Sequence, residues 1–186
     1  MSLLRIYTEN DPAQFEEFTQ PGQISGLLAR CGIVLERWEA DRLLPENPAQ
    51  EEIMSAYDRS LEKIKREFGA VKADVIAVDS QTPGVEGLRR KFLNEHTHAE
   101  AEARFFVDGS GVFYLHPDTR VYVLLCEKGD FINIPAGTRH WFDMGPNPFL
   151  KAIRTFNTPE GWVANFTGSD IASRFPRFEE IAPVKA

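Results

Sequence analysis

The segment EHTHAEAEARFFVDGSG (residues 95–111) places two of the four histidines, three glutamates and an arginine directly before an apolar stretch. His96 and His98 are separated by one residue, so on a strand their side chains point to the same face, about 7 Å apart. Two imidazoles at that spacing can bind one metal ion. A fully extended strand would place Glu102 about 20 Å from His96, too far to share an ion bound at about 2 Å. Glu102 can therefore be a ligand only if the chain turns after His98, where small alanines permit a turn.

A second segment, GDFINIPAGTRHW (residues 129–141), contributes another histidine. The predicted strand 131–134 ends at Pro135, and Gly137 allows a tight turn. This turn would present His140 at the start of the next strand. The metal-site hypothesis depends on both segments together, in this order and at this separation.

Other interpretations of these residues stay open at the level of sequence. A single histidine is more often structural than a ligand, and an H-x-H pair can arise by chance. Glu95, Glu100 and Glu102 could belong to a solvated charged loop. His116, which precedes Pro117 at a predicted strand end, is interpreted as a surface residue.

The chain from about residue 74 onward has the pattern of a β protein. Short segments rich in β-branched and aromatic residues alternate with turn sequences such as DGSG, EKGD and GPNP, which favours a β-sandwich or barrel. The segments expected to be strands are ADVIAVDS, LRRKFLN, ARFFVD, GVFYLH, RVYVLLC, DFINIPA, LKAIRTF and WVANF, with ARFFVD and GVFYLH forming a hairpin around DGSG.

The first 70 residues add strands and helices. SLLRIYTEN and IVLERWEA are expected to be strands, and ISGLLARCG a short helix that ends at Gly32. A longer helix is expected to begin at Asn47 as N-cap and to stop at Gly69, with apolar side chains at helical spacing between them. We expect one domain, residues 1–186, in which 1–70 packs on a barrel formed by 71–175. Residues 176–186 are expected to be a loosely held tail.

The composition excludes several classes of protein. With 21 Lys and Arg against 28 Asp and Glu, the net charge is −7, and no basic run suggests nucleic-acid binding. Cys31 and Cys126 lie far apart in apolar surroundings, as buried free thiols of a reducing compartment would. There is no leader-like N-terminus and no apolar run of the roughly 20 residues that span a bilayer. We expect a soluble cytoplasmic monomer.

Both histidine segments resemble the paired motifs of the cupin superfamily. The first motif, G-x5-H-x-H-x3-E-x6-G, is matched by His96, His98, Glu102 and Gly109, and the second, G-x5-P-x-G-x2-H-x3-N, by Gly129, Pro135, Gly137 and His140. Arg90 and Met144 depart from the motifs at positions that are not ligands. The resemblance implies a mainly β fold with flanking helices, built on a cupin-type β-barrel (a double-stranded β-helix, or jelly roll). It also implies three histidines and one glutamate around a metal ion.

A narrower resemblance is to the acireductone dioxygenase family of methionine salvage. The runs EHTHAEAEARFFVDGSGVF, GDFINIPAGTRHWFD and KAIRTF carry it, and it extends over nearly the whole chain. It implies one Fe(II) or Ni(II) per chain, with an acireductone and O2 as substrates. The iron form would give formate and 4-methylthio-2-oxobutanoate, and the nickel form carbon monoxide, formate and 3-methylthiopropionate. It further implies that Arg104 generates the substrate dianion, that Glu95 aids metal incorporation, and that Ala101 relays local conformational change.

The residues themselves fit that chemistry. Three imidazoles and a carboxylate suit Fe(II), Ni(II), Co(II) or Mn(II), and six-coordinate geometry would leave two positions for a chelating ene-diol. Arg104 lies two residues beyond Glu102, so a strand points it to the same side, although it could instead simply pair with Glu100 or Glu102. The candidates for the substrate pocket are Arg154, Phe92, Phe142 and Trp162, of which the aromatics could equally be core. The alternatives are another cupin enzyme, such as an isomerase, or a non-catalytic ligand-binding cupin.

Overall fold

The computed structural model of the protein describes residues 2–45, 48–158 and 160–182. Two β-sheets share one long strand, and the helices pack against these sheets. The strands are β1 (Leu3–Thr8), β2 (Asp11–Phe18), β3 (Val34–Arg37), β4 (Lys72–Asp79), β5 (His96–Thr97), β6 (Glu102–His116), β7 (Arg120–Glu127), β8 (Asp130–Ile134), β9 (Arg139–Asp143), β10 (Phe149–Phe156) and β11 (Asn165–Phe166). The helices are α1 (Pro21–Ala29), α2 (Gln50–Ala56), α3 (Asp58–Phe68), α4 (Val85–Phe92) and α5 (Phe178–Ile181), with a 3-10 turn at Ile171–Arg174.

Strand β6 joins the two sheets. Its first half pairs with β10 and β8, in a sheet completed by β4 and β3. Its second half pairs with β7 and β9, in a sheet that continues to β1 and β2 on one side and to β5 and β11 on the other. This arrangement of two antiparallel sheets agrees with the expected jelly roll.

The hairpin expected around DGSG is wrong, because β6 runs through this sequence without reversing. Gly109 has a φ of +71°, and the pairing with β10 shifts its register between Lys151 and Ala152. An irregularity of this kind bends a strand and increases its twist. The DGSG sequence is therefore the corner at which β6 passes from one sheet to the other.

The main core lies between the two sheets. Side chains such as Leu4, Phe113 and Leu124 from one sheet meet Phe106 and Ile132 from the other, and all five are at most 1% exposed. Burial of each such side chain stabilises the fold by roughly 1.5–3 kcal/mol.

Helices α2 and α3 cover the outer face of the sheet that contains β4, β10, the first half of β6, β8 and β3. Buried Leu61 and Ile64 lie on one side of α3 and belong to the cluster of Phe105 and Phe131 from the sheet. The single helix expected here is interrupted at Tyr57, whose φ of −114° and ψ of 28° are not helical.

The start of that helix also differs from the expectation. The expected N-cap, Asn47, lies outside the described residues, and α2 begins only at Gln50. There the N–H of Ala49 donates a hydrogen bond to Glu52 Oε2 at 2.7 Å.

Three further expectations are corrected by the structure. LRRKFLN is not a strand, because its first residues form the end of α4. Only Asn165–Phe166 of WVANF is a strand. In addition, β2 was not expected at all, because it lies in a polar segment with no strand pattern. Within the expected loose tail, residues 178–181 form α5, and Ile181 is buried at 3% exposure.

Two remaining expectations concern the cysteines and membrane spans. Both cysteines are free thiols; Cys126 is buried as expected, whereas Cys31 is only half-buried. No helix within the described ranges has the length and apolar character that a membrane span requires.

Candidate metal centre

The histidines of the two motif segments meet at one edge of the fold. His96 on β5 is the direct cross-strand partner of His140 on β9, and Leu115 of β6 pairs with His140 from the other side. The chain bends after His98, as the distance argument requires, and brings Glu102 back at the start of β6. The N–H of Gly137 donates to the carbonyl of His98 at 2.9 Å, which connects the turn before β9 to the first segment.

The side chains of these residues converge on one point. A ring nitrogen from each of His96, His98 and His140 lies within 4.8 Å of the others. Glu102 Oε2 lies 3.3 Å from Nε2 of His98 and 3.3 Å from Nε2 of His140. All four side chains are buried, at 7% exposure or less.

Backbone carbonyls fix the orientation of each imidazole. Nδ1 of His96 is 2.7 Å from the carbonyl of Asn94, Nδ1 of His98 is 2.9 Å from that of Val163, and Nδ1 of His140 is 2.8 Å from that of Thr138. A carbonyl can only accept, so each Nδ1 carries the hydrogen. In the neutral ring the lone pair is then on Nε2, which is the arrangement found in metal-binding histidines.

The resulting site fits a cation. Within the described part of the chain, the buried atoms Glu102 Oε2 and His140 Nε2 have no hydrogen-bond partner. Both are acceptors, and acceptors that face one another without a hydrogen between them are costly in a protein interior. A divalent metal ion satisfies such a set of lone pairs, and three imidazoles with one carboxylate form a donor set that suits divalent transition metals.

The charge states also suit metal binding. Burial, reinforced by the neighbouring His140, lowers the pKa of His96 to about 4, so this ring is neutral near pH 7. Burial alone would raise the pKa of Glu102. The positive charge of Arg104 acts against it, and that pKa lies well below its usual range. The site therefore presents a neutral imidazole at His96 and an ionised carboxylate.

Arg104 lies beside the centre. The sequence left open whether it faces the metal site or simply pairs with Glu100 or Glu102. Its Nε donates to Glu102 Oε1 at 2.7 Å, so the pairing with Glu102 exists. The guanidinium stacks over the rings of Phe113 at 4.9 Å and Phe142 at 4.6 Å. Its Nη1 is buried and has no partner among the described residues. Arg104 thus keeps one donor for a further acceptor.

A cavity of about 590 Å³ opens beside the four side chains, and all four pocket residues expected from the sequence line it. Phe142 is buried, Phe92 is partly buried, and Trp162 is 52% exposed at the edge. Arg154 contributes its guanidinium, but its Nε and Nη2 are engaged by the two oxygens of Asp74. Val75, Ile76, Val78 and Leu88 make the rest of the wall largely apolar.

His116 is not a surface residue, which corrects the expectation. It is 2% exposed, and its Nδ1 lies 2.7 Å from Oε1 of Glu95, which is itself 3% exposed. The pKa of Glu95 is lowered: burial acts in the opposite direction, but hydrogen bonds from His116 and Thr167 outweigh it. The interpretation of Glu95 and Glu102 as part of a solvated charged loop is therefore wrong, because both side chains are buried. Ala101 is half-buried next to Glu102.

Sequence reasoning missed contributions from the segment that follows β10. The carbonyl of Val163 orients His98, and the ring of Phe166 lies 5.8 Å from that of His96. A backbone carbonyl leaves no mark in the sequence, so no pattern could have identified Val163. Phe166 falls in the expected strand WVANF, of which only Trp162 was expected near the site.

Known proteins resemble the chain over most of its length. The sequence model of the ARD/ARD' family matches residues 3–164. An acireductone dioxygenase from Aquifex aeolicus is 49% identical, over 97% of this chain and 98% of its own. One from Methylococcus capsulatus is 50% identical, over 97% of both chains.

A solved structure extends the resemblance to three dimensions. It is an acireductone dioxygenase from Bacillus anthracis with a cadmium ion in its active centre, 28% identical, with a TM-score of 0.80 over 89% of this chain and 98% of that one. Sequence identity of about one half over nearly the full length and a shared fold lead to one conclusion: the chain belongs to the ARD/ARD' family.

Proposed function

We propose that this protein is an acireductone dioxygenase in which His96, His98, Glu102 and His140 together bind one Fe(II) or Ni(II) ion. The observation that carries the proposal is the convergence of three buried imidazoles and one buried carboxylate beside a cavity. Among their atoms, Glu102 Oε2 and His140 Nε2 have no hydrogen-bond partner within the described residues. The family and the metal-containing relative support it. The proposed substrate is the methylthio acireductone 1,2-dihydroxy-3-keto-5-methylthiopentene, together with O2.

The bound metal would supply Lewis-acid polarisation of two neighbouring substrate oxygens, which makes the ene-diol more acidic and more reducing. The protein's part is to hold the four donor atoms in place. The carbonyls of Asn94, Val163 and Thr138 do so by fixing the tautomer and orientation of the rings.

Arg104 is proposed to bind an anionic oxygen of the substrate. Its Nε is occupied by Glu102, while its buried Nη1 is free to donate. The two flanking phenylalanine rings exclude water from the guanidinium and restrict its movement. A fixed cation in a dry site stabilises negative charge far better than one in water. Arg104 would thereby favour the dianion, the form of the substrate that reacts with O2.

The apolar wall is proposed to bind the methylthio tail. Phe92 and Phe142 lie close together, with ring centroids 6.2 Å apart, and both face the cavity. Trp162 at the edge would cover the tail once it is bound. Burial of the tail orients the ene-diol end towards Arg104 and the four donor side chains, and removes water from around it.

We further propose that the metal selects the products. The iron form would give formate and 4-methylthio-2-oxobutanoate, and the nickel form carbon monoxide, formate and 3-methylthiopropionate. In the test, metal-free protein is reconstituted anaerobically with each metal and given acireductone and air, and oxygen uptake and headspace carbon monoxide are measured. We expect uptake from both forms and carbon monoxide from the nickel form alone. Identical products would refute metal selection, and no oxygen uptake from either would favour the isomerase alternative.

A further inference from the structure

A chain of hydrogen-bonded side chains adjoins the metal centre, and none of its members lines the cavity. His116, the last residue of β6, has both ring nitrogens next to carboxylates. Nδ1 lies 2.7 Å from Glu95 Oε1 and Nε2 lies 3.0 Å from Glu9 Oε2. Ionised carboxylates can only accept, so both contacts are hydrogen bonds only when both ring nitrogens carry hydrogen. The three residues together are called the Glu9–His116–Glu95 bridge below.

The bridge connects three separate parts of the chain. Glu9 is in the turn between β1 and β2, and its N–H donates to the carbonyl of Thr119 at 3.0 Å. Glu95 immediately precedes β5. Its second oxygen accepts from the Thr167 hydroxyl at 2.8 Å, and its carbonyl accepts from the Thr167 N–H at 3.1 Å. Glu95, next to the proposed ligand His96, is thus linked directly to the end of β6 and to the segment after β11. Through His116 it is also linked to the N-terminal hairpin.

Strand β5 needs such an attachment because it is too short to hold itself in place. It has two residues, with a single cross-strand pair to β9, His96 with His140, and two pairs to β11. Yet it carries His96, whose ring must keep its place relative to His98 and His140. Glu95 is the residue directly before His96, so an anchor on Glu95 restrains the backbone from which the His96 side chain projects.

From this we infer that His116 is a positioning residue of the metal centre: by bridging Glu95 and Glu9, it holds β5 where His96 can bind metal. The inference rests on the proposed function, because it assumes that His96 is a ligand. Glutamine at this position would present its amide nitrogen to one carboxylate and its oxygen, which cannot donate, to the other, so the bridge would be broken at one end. Groups that hydrogen-bond directly to a metal ligand typically contribute a factor of about 10 to 100 in metal affinity. We take this range for His116, which acts on His96 through the adjacent Glu95.

The test measures the dissociation constant of Ni(II), by calorimetry on the full metal-free chain, together with unfolding in urea. We expect His116→Gln to bind Ni(II) about 10 to 100 times more weakly than the parent protein. Amide exchange at residues 95–98 should also become faster. Glu9→Ala, at a partly exposed turn residue, should weaken binding several-fold. The double variant should bind no more weakly than His116→Gln alone, because both changes break the same bridge.

Asp130→Asn is the matched control for general destabilisation. Asp130 is as buried as His116, at 2% exposure, and is held by Ser2 and Arg37, away from the four proposed ligands. This variant should lose stability and keep the parent's affinity for Ni(II). The inference is overturned if His116→Gln loses no more affinity than Asp130→Asn. If His116→Gln does not fold, parent-like affinity in Glu9→Ala overturns it instead. A parent protein that binds no Ni(II) would overturn the proposed function itself.

Discussion

Replacing Arg104 with methionine would remove the guanidinium and leave an unbranched chain to fill part of its volume. Arg104 and Glu102 are 5% and 1% exposed, so the ion pair between them is well shielded from water. The methionine side chain would remain against the rings of Phe113 and Phe142, where a thioether packs well. The proposed metal-binding oxygen of Glu102, Oε2, is not the one that Arg104 contacts, so we expect the variant to retain its metal.

Two effects of different size follow. In the metal-free protein the buried carboxylate of Glu102 would lose its cation, and breaking a buried pair in this way costs about 3–5 kcal/mol. In the loaded protein the metal supplies positive charge to the same carboxylate, so the loss of stability should be smaller. Turnover should fall in both metal forms, because the loss of one preorganised donor to a reacting oxyanion typically lowers kcat by about 100- to 1,000-fold.

Urea unfolding with and without Ni(II), and oxygen uptake with acireductone, measure both effects. Arg154→Met is the control, because Arg154 lines the same cavity but two of its nitrogens are engaged by Asp74. We expect it to keep at least a tenth of the parent's turnover. If Arg104→Met retains activity within a few-fold of the parent, or if the two variants are equally impaired, Arg104 does not have the proposed role.

Three further outcomes are expected. Gly109→Ala should lower the free energy of unfolding by at least about 2 kcal/mol in urea, because Gly109 has a positive φ and a Cβ there would clash with the carbonyl of Phe149; near-parent stability would contradict this. The pKa of His96 is about 4 when folded and 6.5 ordinarily, so metal-free protein should lose about 3 kcal/mol of stability as the pH falls from 7 to 4. As the pH falls, the unfolded chain binds a proton at His96 before the folded chain does, which favours unfolding. The His96→Gln variant should therefore lose about 3 kcal/mol less than the parent over this pH range. Parallel curves of stability against pH for the two proteins would show that the pKa of His96 is not lowered. Trp162→Ala should raise the KM for acireductone several-fold and change kcat less, since Trp162 lies at the cavity edge; an unchanged KM would remove it from the substrate site.

The site was more predictable from the sequence than the path of the strands. The spacing of His96, His98 and Glu102 required a bend, and the bend is present. Motif positions could be matched one by one because a metal site needs particular donor types at particular separations. The position of Arg104 on the same strand as Glu102 followed from the two-residue repeat of a strand.

The errors have physical causes. The residues Val85, Leu88 and Phe92 recur at helical spacing, which the strand prediction for LRRKFLN did not take into account. The segment forms a helix, and these three side chains pack against the main core. DGSG has the composition of a turn, yet Gly109 is used for a bend within β6.

His116 was misjudged for a different reason. Its partners Glu9 and Glu95 are 107 and 21 residues away in sequence, and long-range pairing of this kind leaves no local pattern.

The most direct test of a single catalytic metal centre is a titration of metal-free protein with Fe(II) under anaerobic conditions, with oxygen uptake on acireductone measured at each step. We expect no turnover without metal, a rise in proportion to added Fe(II), and a break at one equivalent per chain. The His140→Gln variant should stay near the baseline at that equivalent, because it lacks one of the four proposed ligands. Turnover by the metal-free protein, or a His140→Gln variant that reaches the parent's rate at one equivalent, would contradict the proposed centre.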